Sequence, residues 1–264
     1  MNNQYNVNIR SIKAFENITE SSLEIIRNNA TYIEYEMGKP IVKDNIIPNK
    51  IYIILSGNAR LLFKDKSTFG LASLALLKTD DFIGLASLLR AQGCEHASAS
   101  NKLLVMSLPD VIFIRLYQDD IEFKNWCNKK IQVSELYDIA INLHKTSIKS
   151  DKELKSTINL LIDNIEVTTL NNNQTIELRE DDIQIVGSAN ILNKSIGDLL
   201  TNNHEKLSTE GPFPARIFNL PKEIYNQLRN PPTVSQNDNK EANLEISEIA
   251  QSDAFLESTN EKIG

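Results

Sequence analysis

Cys94-Glu95-His96 is the place where a thiol, a carboxylate and an imidazole are neighbours in this chain, so chemistry is sought there first. A nucleophilic cysteine needs a histidine to take its proton and a third group to orient that histidine. Cys94 and His96, two residues apart on a loop or strand, point the same way, but the sequence identifies no orienting group. The other two histidines, His144 and His204, stand apart from them, with no HxH or HExxH spacing, so no metal site is expected. There is no GxSxG, no P-loop and no GxGxxG. Glu180-Asp181-Asp182 and Asp119-Asp120 read as solvated turns rather than paired acids for proton transfer. The chain is therefore expected not to be an enzyme. Cys94 and Cys127, lacking CxxC spacing, read as ordinary reduced thiols.

The elements that must position these residues come twice. Ile33-Glu34-Tyr35 opens a run built around Ile53-Ile54-Leu55-Ser56-Gly57-Asn58-Ala59, and Ile165-Glu166-Val167 opens another around Ile183-Gln184-Ile185-Val186-Gly187-Ser188-Ala189. Ser107-Leu108-Pro109 closes the first and Asn219-Leu220-Pro221 the second. The copies are offset by 132 residues at the opening and 112 at the close. The second copy thus lacks about twenty residues from its middle. Three domains are expected: 11–145, a shortened second unit over 151–229, and an acidic disordered tail over 230–264.

In the first unit, the spacing of Ile12, Phe15, Ile18, Leu23 and Ile26 predicts a short helix and a longer one capped near Thr19. Alternating strands follow: Tyr32–Tyr35, Ile41-Val42, Ile51–Leu55, a Gly57-Asn58 hairpin into Ala59–Phe63, Leu71–Leu77 and Leu103–Ser107. Asp80-Asp81-Phe82-Ile83-Gly84-Leu85-Ala86-Ser87-Leu88-Leu89-Arg90 reads as a glycine-led short helix. Helices led by Pro109 run on to Leu143. In the second unit, strands are expected at 165–170, 175–178, 183–186 and 215–218. The remnant Asn193–Leu200, with its Gly197-Asp198-Leu199-Leu200, stands in for the shortened middle. Within the tail, Leu244, Ile246, Ile249, Ala250, Phe255 and Leu256 have the spacing of a short amphipathic helix or a transient one in a linker.

A formal net charge of −7 over 264 residues argues against nucleic-acid binding as the main task. Lys124, Lys129 and Lys130 read as the solvated face of a helix, with a local basic patch as the alternative. No apolar run is long enough to span a membrane and no signal peptide is visible, so a soluble, cytoplasmic chain without membrane insertion is expected.

Taken together, Gly38, Ile41, Tyr52, Ile54, Leu55, Gly57, Phe82, Gly84, Ala86, Leu88, Leu89 and Phe113, in this order and spacing, resemble the cyclic-nucleotide-binding domain. The resemblance implies a mainly β, α+β fold: tandem β-rolls with flanking helices, the second shortened. It also implies a phosphate-binding cassette at Gly84, Leu85, Ala86, Arg90, Glu95, His96 and Ala97. In the family, backbone N–H groups at a helix N-terminus and one arginine hold the cyclic phosphate, and a glutamate accepts from the ribose hydroxyl. Here Leu85 stands at the glutamate position and Glu95 at the arginine position. A carboxylate there adds like-charge repulsion to the loss of a charge-assisted contact, so cyclic AMP and cyclic GMP are disfavoured and no cofactor is expected. Arg90, read as a surface residue, could substitute only by swinging in.

Gly84–Arg90 with Cys94-Glu95 and Ala99-Ser100, and in the second copy Pro214-Ala215-Arg216, are also similar to the N-terminal cytoplasmic segment of cyanobacterial peptidase-containing ABC peptide exporters of the heterocyst-differentiation type. That implies an exporter or another protein as partner, the chain being a stand-alone component or a fragment of a longer one. The reading favoured is a non-catalytic regulatory or interaction module. A small-ligand sensor of altered specificity is the alternative. A transcription regulator would need a helix-turn-helix after the long helices, where a second β-rich unit is expected.

Overall fold

The computed structural model describes Tyr5 and residues 7–64, 70–143 and 150–229. His144 and the tail from 230 onward, with its amphipathic segment, lie outside the described residues.

Two 3-10 turns, Ile9–Ser11 and Lys13–Phe15, lead to helix α1 (Glu20–Asn29), whose first turn is capped by the Thr19 side chain accepting from the Ser22 N–H. Eight strands follow: β1 (Thr31–Tyr35), β2 (Pro40–Val42), β3 (Lys50–Ser56), β4 (Ala59–Lys64), β5 (Leu71–Leu77), β6 (Phe82–Ile83), β7 (His96–Ala99) and β8 (Leu103–Pro109). Between β6 and β7 lies the short helix α2 (Leu85–Leu89). They form two antiparallel sheets, ordered β1-β8-β3-β6 and β2-β7-β4-β5, which together make the β-roll. β3 is a continuous apolar run because both of its faces are covered. Ile51 and Ile53 enter one core with Phe15, Leu85 and Met106, while Ile54 enters the roll interior with Leu61, Ala97 and Val105.

The helical region after Pro109 is three helices, α3 (Asp110–Asp119), α4 (Ile121–Lys129) and α5 (Val133–Leu143). Asp120 makes the first break. Instead of a solvated turn it is a buried carboxylate that accepts from the N–H groups of Glu122 and Phe123, capping α4. It also takes the Thr19 N–H and the hydroxyls of Thr19 and Ser22, tying α4 to the start of α1.

The second copy comprises α6 (Asp151–Asn164), β9 (Glu166–Leu170), β10 (Asp182–Val186), β11 (Leu199–Leu200), β12 (Ala215–Pro221) and α7 (Lys222–Arg229). Its sheet runs β11-β10-β12-β9, which is the order of the first roll's β6-β3-β8-β1. The match extends to single bonds. Asn29 and Asn164 each donate from Nδ2 to the carbonyl four residues back, at 2.8 Å, and Ala30 and Ile165 each close the helix that precedes the first strand. The Lys78 N–H and Asp81 Oδ2 make one turn, and the Ser195 N–H and Asp198 Oδ2 its twin. The Asp110 N–H to Asn49 carbonyl bond recurs between Lys222 and Asp181.

These registers correct the sequence alignment. Thr31 opposite Ser107 corresponds to Glu166 opposite Asn219, so the first strands are related three residues further on than the Ile-Glu pattern suggests. Gly197, taken as part of the remnant of the cassette region, occupies the place of Asp80: both have positive φ and donate to the carbonyl at the equivalent register position, Val186 in β10 and Ile54 in β3. Most of the missing middle is therefore the β4–β5 hairpin. The strand expected at 175–178 is reduced to a single bridge, Thr175 to Lys206. The second copy is a reduced roll: one sheet is kept, and of the other there remain the bridges Thr175 to Lys206 and Ile191 to Thr209.

Leu136, Ile139 and Ala140 of α5 and Leu154, Ile158 and Leu161 of α6 join the roll interior to Ile185, Phe218 and Leu220 of the second sheet in one apolar cluster. No helix among the described residues is long and apolar enough to cross a membrane.

Candidate functional site

Gly84 adopts φ +93°, and a Cβ there would press on Pro48 at 2.8 Å, so glycine is required for the turn from β6 into α2. That turn aims the Gly84 and Ser87 N–H groups at one point. The point is filled by the chain itself. Glu95, buried, accepts from Gly84 N at 2.9 Å through Oε1 and from Ser87 N at 2.9 Å through Oε2, and the Ser87 hydroxyl donates to Oε2 at 2.9 Å. The Cys94 N–H in turn donates to Ser87 Oγ. Burial pushes the Glu95 carboxyl above its ordinary range, against the pull of these donors. Leu85 is buried in the core with Phe15 and Ile51, and Ala86 and Ala97 are equally inaccessible.

Arg90, expected at the surface, has 0% exposure. Its Nε donates to the Gly187 carbonyl at 2.9 Å, Nη1 to the Ser134 carbonyl at 3.4 Å, and Nη2 to Asp138 Oδ2 at 2.9 Å. Its own carbonyl accepts from the Ala189 N–H. Helix α2 is thereby tied both to α5 and to the second copy. One helical turn before Asp138, Glu135 receives a second buried guanidinium: Arg216 of β12 donates from Nε to Oε1 at 2.6 Å and from Nη2 to Oε2 at 3.2 Å. Arg216 also caps α4 through the carbonyls of Cys127 and Lys130. Sequence reasoning missed Glu135, Asp138 and Ser87. Arg216 carried a readable signal, a charge inside the apolar strand Ala215-Arg216-Ile217-Phe218, which demands a buried counter-charge.

The Cys94-Glu95-His96 cluster splits apart. Glu95 turns into α2, while His96, partly exposed on β7, has Nδ1 3.9 Å from Asp44 Oδ1. Burial raises the Cys94 thiol to about 12, despite Arg90 nearby, which leaves it a poor nucleophile at neutral pH. Its Sγ lies 3.7 Å from Ser87 Oγ. Among the described residues no three histidine, cysteine or acidic side chains converge as a metal site. Trp126 of α4 leans on Phe82 at 4.9 Å between ring centres, two residues before Gly84.

No family model matches the chain, and no curated protein does. Several solved structures do. A cyclic nucleotide-binding-like protein from Brucella abortus is 18% identical over 42% of this chain and 95% of its own, with a TM-score of 0.36. The regulatory domain of Toxoplasma gondii PKA, crystallised with cAMP, is 11% identical over 84% of this chain and 91% of its own, at 0.39. The sensor domain of the transcriptional regulator DNR from Pseudomonas aeruginosa is 12% identical over 45% of this chain and 79% of its own, at 0.41.

Proposed function

We propose that this chain is a non-catalytic regulatory or interaction module of the cyclic-nucleotide-binding type, its cassette held in shape by its own carboxylate rather than by a ligand. The observation that carries the reading is Glu95 on the Gly84 and Ser87 N–H groups. A cyclic phosphate would have to expel a buried carboxylate and then find no cation, since Arg90 is committed to Gly187, Ser134 and Asp138. The displaced pair of acceptors and the like-charge encounter each act against it. The partner is a protein, and the likeness of the Gly84–Arg90 segment to exporter N-termini makes a peptide-export system the first place to look, with the module on its cytoplasmic side.

The test is calorimetric titration with cyclic AMP and cyclic GMP at low salt and near-millimolar ligand, with Trp126 fluorescence followed in parallel. No saturable heat, no thermal stabilisation and an unchanged spectrum are expected. Saturable binding would overturn the proposal and make the chain a small-ligand sensor.

A further inference from the structure

Lys13, from the second 3-10 turn, meets Lys129 and Lys130 from the end of α4 around a cavity of about 380 Å³ whose wall includes Trp126, Asn17 and Glu122. The sequence grouped Lys124 with Lys129 and Lys130, but Lys124 lies over the Tyr117 ring at 5.6 Å and lines a different cavity. In its place the fold brings Lys13 from more than a hundred residues away. None of the three lysines forms an ion pair among the described residues, and Glu122 is the single acid in the lining, so the cavity carries a net excess of two positive charges in a chain of −7. Nor does the helix end claim them. The terminal carbonyls of α4, which ordinarily attract lysines, are already met by the Arg216 guanidinium at Cys127 and Lys130.

Three unclaimed ammonium groups beside a partly exposed indole are suited to a ligand that is anionic and carries an apolar group to lie against the ring. The geometry points to this cavity as the docking site for an acidic peptide segment of a partner protein, with an aromatic or aliphatic side chain of the peptide seated against Trp126. The inference rests on the interaction-module reading and names the surface that module uses. Because Trp126 packs on Phe82, the strand that leads into Gly84, an occupant here touches the same framework as the closed cassette.

The test is fluorescence anisotropy of the full chain with a fluorescein-labelled peptide alternating Glu and Phe, against the same peptide alternating Gln and Phe. Saturable binding of the first alone, weakened on the order of tenfold by Lys13→Glu with Lys129→Glu and unchanged by Lys124→Glu, is the expected result, and it fades as salt rises. Equal weakening by Lys124→Glu would show only diffuse basicity and overturn the inference, as would failure of the wild type to bind. Cyclic nucleotide binding would refute the closed cassette without touching this cavity, so the two failures are separable.

Discussion

Removing the Glu95 carboxylate isolates the feature on which the functional reading depends. Glu95→Ala leaves two buried backbone N–H groups and one buried hydroxyl without their acceptor. A buried unsatisfied donor costs about 1–3 kcal/mol, while deletion of a desolvated charge returns part of that, so a net loss of about 2–4 kcal/mol is expected. At about 2–4 °C per kcal/mol for an ordered body of this size, the melting temperature falls by roughly 5–15 °C. Glu95→Gln separates lost volume from lost acceptors. It fills the space but turns an NH2 group toward one of the donors, so it is destabilised nearly as much. The vacated pocket should then take a small free carboxylate: formate at ten times its dissociation constant restores about 1.4 kcal/mol to Glu95→Ala and nothing to the wild type. Thermal melts in sodium formate and in sodium chloride of equal strength measure this directly. A Glu95→Ala protein within about 0.5 kcal/mol of wild type, or one indifferent to formate, would refute the idea that the carboxylate occupies an anion site.

Three further outcomes follow from the buried polar contacts. Arg216→Met or Glu135→Met alone should each cost about 3–5 kcal/mol by stranding a buried charge, whereas the double replacement recovers most of the loss; additive costs in urea unfolding would show that the pair is not coupled. Arg90→Lys keeps the charge but cannot span Gly187, Ser134 and Asp138 together, so amide exchange should rise in both α2 and residues 187–190, and a rise confined to α2 would contradict the link between copies. Although burial alone would raise the Asp120 carboxyl, bonds from Ser22, Thr19 and Phe123 prevail and hold it below its usual range, so its stabilisation is complete above the unfolded value near 3.8 and disappears as pH falls through the folded one. The slope of stability against pH in acid should flatten in Asp120→Asn; an unchanged slope would remove Asp120 from the account.

The repeat and the roll were legible because strands covered on both faces read as apolar runs, unbroken in Ile51–Leu55 and interrupted only by the buried Gln184 in Ile183–Val186. Register was not legible. Ile-Glu recurs near both first strands, but the pairing is set by the strand opposite, and the partner β8 or β12 places Thr31 and Glu166 in the same position. Gly197 misled for a similar reason: a glycine reports a positive φ, and both the cassette turn at Gly84 and the turn at Asp80 require one. The candidate residues were found as a segment, but the burial of Arg90 within it was not. Charge suggested exposure for Arg90 and Asp120, and each is buried by groups distant in sequence, Gly187 and Asp138 for Arg90 and Thr19 for Asp120. Glu95 alone had a local clue, an acid at an arginine position facing helix N–H groups that accept an anion of either origin.

The shortening of the second copy and the closure of the first are connected through one stretch of chain. In the first copy the chain leaves β3 through Gly57 and returns as β4, the start of the hairpin that builds the second sheet of the roll. In the second copy that hairpin is absent, and the chain leaves β10 at Gly187 and turns directly onto Arg90 at the end of α2. Gly187 permits this: a Cβ there would meet the Phe218 ring at 2.7 Å and the Arg216 carbonyl at 2.9 Å. Its carbonyl accepts from the Arg90 Nε–H, and two residues later the Ala189 N–H donates to the Arg90 carbonyl. A full second roll would run its hairpin from this point and could not make that turn. The reduced roll therefore does more than lose its own cassette. By ending β10 at Val186 it lets Gly187 and Ala189 supply two backbone groups that bind Arg90, while Glu95 occupies the N–H groups of Gly84 and Ser87.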